Sequence, residues 1–160
     1  MSRKIISFTE KKDKTKQNNS ENDELYKKDK QIFMINNLYL NEEFTGKKVV
    51  KRELTKKLSS YKLQDEKKQR YSKDQFINSD QLLEKLVVSK LVCYYCKNNM
   101  LVMYKNKREP SQWTLDRIDN KLGHSSENCV VSCLKCNLEK RTRDDEKFKF
   151  TKQMNIIKQY

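Results

Sequence analysis

A small α+β fold is predicted for this 160-residue chain on three observations. Two C-x-x-C pairs, Cys93-Tyr-Tyr-Cys96 and Cys133-Leu-Lys-Cys136, have the separation of two knuckles that share one tetrahedral metal ion. Trp113 to Ile118 and Asn128 to Ser132 read as short strands, the first by its alternation. Val50, Leu54, Leu58 and Tyr61 recur at the spacing of one helix face.

Composition limits what such a fold can be. The chain has 36 Lys plus Arg against 22 Asp plus Glu, a net charge of +14, and only 35% hydrophobic residues. One large buried core is therefore not expected. The positive field favours a polyanion as partner, DNA or RNA first and an anionic membrane surface second. A spanning helix needs an apolar run of about 20 residues, and no run approaches that length. No small-molecule substrate is expected, and the sequence sets no oligomeric state. The start, Met1 to Phe8, is charged, but its apolar stretch is too short for a secretory signal, so an intracellular setting is expected: cytoplasm or nucleus of a cell or infected host. In that setting four paired cysteines indicate thiolates holding zinc, not disulfides, while Cys129, inside an apolar run, reads as a small buried residue.

Four regions follow along the chain. Residues 1–30 form a basic arm, since Glu10 to Lys30 is almost entirely polar and cannot offset its chain entropy by burial; it is expected to be disordered, as a phosphate tether or a solvated tail. Residues 31–90 are a basic, helical region. Its first patch, Ile32 to Ile35 with Leu38, Tyr39 and Leu40, has no structural type that periodicity decides. The stripe from Val50 to Tyr61 then forms a helix with lysines on its other faces, lying along DNA or facing solvent. Ser79 and Asp80 cap a second helix with Leu82, Leu83, Leu86 and Val87 on one face.

Residues 91–143 are the zinc-stapled module: a turn at Lys97 to Asn99, a short strand from Met100 to Tyr104, a loop to Pro110, then strand, loop with Gly123, strand, and a helix from Leu134 to about Arg141. Trp113 is read as core cover or as a platform for a base, and Tyr94 and Tyr95 as packing around the zinc. Residues 144–160 form a C-terminal helix capped at Asp144 and Asp145, with Phe148, Met154 and Ile157 facing inward.

Strand, loop, strand, helix, with Asp116 on the first strand and Asn137 early in the helix, is the layout of the ββα-metal fold. Cys93 to Arg141 thus resembles the HNH endonuclease superfamily, in particular a subgroup from phages and large DNA viruses in which Leu-Asp-Arg-Ile-Asp replaces the usual Asp-His-Ile core. The zinc-stapled arrangement is also similar to Holliday-junction resolvases of the endonuclease VII type. The resemblance implies a metal-dependent DNA endonuclease. Asp116 and Asn137 would be ligands of one magnesium or manganese ion, whose hard charge suits oxygen donors. Asn128 would hold the loop and the general base in place, and zinc on Cys93, Cys96, Cys133 and Cys136 would be structural. Lys135, Lys140, Arg141 and Arg143 would contact DNA phosphates.

The pattern breaks at Arg117, which stands where the family has its general-base histidine. A guanidinium cannot accept a proton from water, though it can grip a phosphate. His124 is the one histidine in the chain and the natural replacement, or else a loop residue bonding a neighbour. Asp119 is a weaker base or a turn residue, and activation of water without a side-chain base is a further route. The rival functions are a catalytically inactive, zinc-stabilised DNA-binding protein and an RNA-binding component.

Overall fold

The computed structural model describes residues 24–154. Within them the chain forms five helices and one two-stranded antiparallel sheet: α1 Lys30–Tyr39, α2 Lys47–Lys67, α3 Ser79–Val88, β1 Trp113–Arg117, β2 Cys129–Cys133, α4 Leu134–Lys140 and α5 Asp145–Gln153. This is the mixed α+β class expected. No helix among the described residues is long and apolar enough to cross a membrane.

The patch whose type periodicity left open is α1, which buries Met34, Ile35 and Leu38 and leaves Ile32 and Phe33 outside. The basic arm was expected to run to residue 30, but Leu25 is buried in the core, so the chain is already anchored there. The arm's earlier residues lie outside the described range. Gly46 is the N-cap of α2, and its φ of 90° suits a residue without a side chain. A Cβ at Gly46 would also stand 2.5 Å from a Leu25 methyl carbon. Val50, Leu54, Leu58 and Tyr61 are buried as a stripe, with Lys51 and Lys56 exposed. The stripe ends on a buried acid, Asp65.

α3 begins one residue earlier in its capping logic than expected. Asn78, not Ser79 or Asp80, is the N-cap: its Oδ1 accepts from the Gln81 N–H at 2.9 Å while Gln81 Oε1 accepts from the Asn78 N–H at 3.0 Å. This reciprocal pair satisfies two otherwise orphan donors, a contribution of about 1 kcal/mol.

The strand expected over Met100 to Tyr104 is absent; only single bridges form, Val92 with Asn99 and Leu101 with Gln112. Its donors are spent elsewhere. The N–H groups of Val102 and Met103 both donate to Gln31 Oε1 at 2.9 Å, which ties α1 to this segment in place of a ladder. In the C-terminal helix Asp144 is the N-cap and Phe148 is buried, but Met154 follows the helix and is half exposed; Ile157 lies outside the described residues.

The expectation of no single large core is also corrected. One cluster runs from Leu25 and Met34 through Val50, Leu82 and Trp113 to Cys136 and Phe148, joining the helical region to the cysteine module. The weld is the outer edge of β1, whose inner edge pairs with β2 in a register that sets Asp116 opposite Val130. On the outer edge, α2 sends Lys57 Nζ to the Trp113 carbonyl and Tyr61 Oη to the Leu115 N–H (3.1 Å). From α4, Asn137 Nδ2 reaches the Leu115 carbonyl (3.3 Å) and Lys140 Nζ the Arg117 carbonyl (2.8 Å). Side chains thus satisfy a strand edge that would otherwise be open to pairing.

Candidate metal centre and the polar cluster on β1

The two knuckles converge. The Sγ atoms of Cys93, Cys96, Cys133 and Cys136 all lie within 4.8 Å of one another, and Cys96 and Cys133 stand 3.9 Å apart. A tetrahedron of zinc–sulfur bonds of about 2.3 Å has sulfur–sulfur edges of roughly 3.8 Å, so the group could hold a metal such as zinc. The backbone prepares it: the Cys133 N–H donates to Cys93 Sγ, and the Cys136 N–H donates to Cys133 Sγ at the first turn of α4. The Cys93 thiol is held well below its ordinary range, by the Cys133 side chain first and then by N–H groups of Cys133, Cys96 and Tyr95. Cys129 is buried, outside the group, and burial pushes its thiol up to about 12.

The first knuckle also reaches β1. Tyr95, between its two cysteines, is fully buried and donates its hydroxyl to Asp116 Oδ2 at 2.7 Å. Lys140 Nζ stands 3.3 Å from the same oxygen. Asp116 is only 5% exposed, and burial raises its carboxyl above the ordinary range against the pull of Tyr95 and Lys140. Asn137 packs alongside, its Nδ2 donating to Thr114 Oγ1 at 3.0 Å and to the Leu115 carbonyl. Both amide hydrogens are thereby used on the residues just before Asp116, which fixes the amide plane.

On the other side of β1, His124 is buried, not solvated. Its Nδ1 lies 2.8 Å from Asp65 Oδ1, its backbone N–H donates to Asp65 Oδ2 at 2.6 Å, and the Tyr61 ring lies 4.7 Å away. Burial lowers its pKa, which Asp65 partly offsets. Arg117 turns inward: Nη1 donates to the Leu122 carbonyl at 3.2 Å and lies 3.9 Å from Asp65 Oδ1. Asn128 clamps the intervening loop, accepting from the Asp119 N–H and donating to the carbonyls of Asp119 and Gly123. Asp119 is the turn residue, its Oδ1 accepting from the Lys121 N–H at 2.8 Å.

Lys135, Arg141 and Arg143 are exposed near the second knuckle. Lys140 is not: it has no exposed surface, so the expected phosphate contact is replaced by an internal ion pair. The reason is its place three residues after Asn137, on the face of α4 that packs on β1. Trp113 is buried and covers the core.

Sequence reasoning missed Asp65, Tyr95 as a partner of Asp116, and Lys57. Asp65 had a signal: it continues the stripe Val50, Leu54, Leu58, Tyr61 by one further helical step, and an acid on an apolar stripe needs a buried partner.

No family model and no solved structure matches this chain. Over 74 residues it is 39% identical to a protein described as uncharacterized protein R423 of Acanthamoeba polyphaga mimivirus. That stretch is 46% of this chain and 12% of the viral protein, so the chain spans only a small part of its relative's length.

Proposed function

We propose that this chain is a metal-dependent DNA endonuclease of HNH type, with His124 in the place that Arg117 vacates and zinc as a structural staple. The observation that supports this reading is a fixed carboxylate, Asp116, beside a fixed carboxamide, Asn137, at β1; across the strand stands an imidazole held by a second carboxylate. Asp116 and Asn137 offer hard oxygen donors whose orientation is set by Tyr95, Lys140, Thr114 and Leu115, a donor set that fits magnesium or manganese with water completing the shell. When bound, such an ion supplies charge stabilisation at the scissile phosphate.

The chain's own residues divide the remaining work. Neutral at pH 7, His124 takes a proton from water as the water oxygen bonds to phosphorus. The bond from phosphorus to the bridging oxygen breaks; that oxygen leaves with the electron pair and takes a proton from solvent, to which His124 later returns its own. Lys135, Arg141 and Arg143 bind backbone phosphates, with an affinity that falls steeply with salt and depends little on sequence. The setting is an intracellular one, where DNA is reached.

A second reading, a zinc-stabilised DNA-binding protein without catalysis, is favoured by one observation: the Lys140 ammonium already neutralises Asp116. Plasmid nicking with magnesium, with manganese and with chelator decides between them. The nuclease reading expects metal-dependent nicks that Asp116→Asn abolishes while DNA binding persists. Intact plasmid with either metal, from protein that still binds DNA, would establish the binding reading instead.

A further inference from the structure

We propose that Asp65, a residue of α2 outside the segment that carries the HNH resemblance, is the positioning residue of His124, holding it as a proton acceptor over a phosphate-binding cleft. This rests on the nuclease reading and adds to it a residue contributed by the helical region.

Both Asp65 oxygens face His124, and Oδ1 also lies 3.9 Å from Arg117 Nη1. Oδ2 accepts the His124 backbone N–H and Oδ1 faces Nδ1, from a side chain only 1% exposed. A carboxylate accepts and cannot donate, so the proton of the neutral ring sits on Nδ1 and the lone pair on Nε2. That is the tautomer a general base requires, and a carboxylate behind an imidazole is the usual means of setting it.

The loop can come this close to α2 because residue 123 is glycine. A Cβ there would stand 2.4 Å from the Arg70 carbonyl oxygen and 3.0 Å from Asp65 Oδ2. Beside the pair lies a cleft of about 260 Å³, lined among others by Arg70, Phe76, Lys121, Leu122 and His124. Arg70, Lys121 and His124 among the residues lining one cleft, with Asp65 behind the histidine, are groups that suit a phosphodiester. The charged groups around the ring are Asp65 on α2, Asp116 and Arg117 on β1, and Arg70 and Lys121 at the cleft.

Since the chain has one histidine, its imidazole nitrogens give a single, assignable set of signals in ¹⁵N NMR. The full-length zinc-loaded protein is expected to show the Nδ1–H tautomer. Asp65→Asn has one acceptor oxygen where two are needed; with that oxygen on the backbone N–H, its amide faces Nδ1 and shifts the proton to Nε2. The histidine's titration should also move to lower pH once the carboxylate is gone. Nicking should fall by about 10²-fold or more in Asp65→Asn, and the double variant with His124→Ala should be no slower than His124→Ala alone. Zinc content and melting temperature check that the variant is folded. An Nε2–H tautomer in the unmodified protein, or folded Asp65→Asn that nicks at the full rate, would overturn the proposal. Unmodified protein with the expected tautomer that never nicks DNA would overturn the nuclease reading itself, and with it any role of Asp65 in catalysis.

Discussion

Lys140 Nζ lies 3.3 Å from Asp116 Oδ2 and 2.8 Å from the Arg117 carbonyl, with no surface of its own exposed to water. A lysine in a basic segment would ordinarily be assigned to phosphate. Here its ammonium balances a carboxylate inside the protein and caps the end of a strand edge.

Removing one partner of a buried pair strands the other. Lys140→Met should therefore cost about 3–5 kcal/mol in urea unfolding, because Asp116 remains desolvated without its cation. Adding Asp116→Asn should recover part of that loss, since the stranded charge is gone. The salt dependence of DNA binding should not change in the folded Lys140→Met protein, as Lys140 cannot reach a phosphate. A shallower salt slope would return Lys140 to the surface.

The four converging thiols predict about one zinc per chain by metal analysis. Chelation should unfold the cysteine module and disturb β1 as well, because Tyr95 joins the first knuckle to Asp116. Cys96→Ser should lose the metal, whereas Cys129→Ser should keep it. Zinc retained after Cys96→Ser would exclude the four-thiolate site.

Lys57 makes stability depend on alkaline pH. Burial lowers its pKa from the ordinary 10.5 to about 7 in the folded chain. Between those values the unfolded chain binds more protons than the folded one, so stability rises as pH increases from about 7 towards 10. Urea midpoints at pH 7 and 9.5 should show this rise, and Lys57→Met should flatten it. A flat profile would mean that the ammonium, held by Gln112, Tyr104 and the Trp113 carbonyl, stays charged throughout.

The parts of the fold that could be read in advance are those whose cause is local. Val50, Leu54, Leu58 and Tyr61 announce a buried helix face by spacing alone, and Trp113 and Cys129 announce burial by type. The strand over Met100 to Tyr104 could not be corrected from the sequence. Its donors go to Gln31, 71 and 72 residues earlier in the chain. The site divides in the same way. Asp116 and Asn137 stand out by motif, but the tie from Asp65 to His124 spans 59 residues and follows no local pattern except an acid on an apolar stripe.

By itself the sequence determined the α+β class, the cysteine pairs able to share a metal, the two strands and the basic character of the surface, because each is set by periodicity, spacing or charge over short stretches. Only the tertiary structure decided that Lys140 turns inward, that His124 is buried against Asp65, and that one core joins α2 to the cysteine module. Those outcomes depend on which polar groups lose water together when helices and sheet pack. That loss is fixed by distances between residues far apart in the chain.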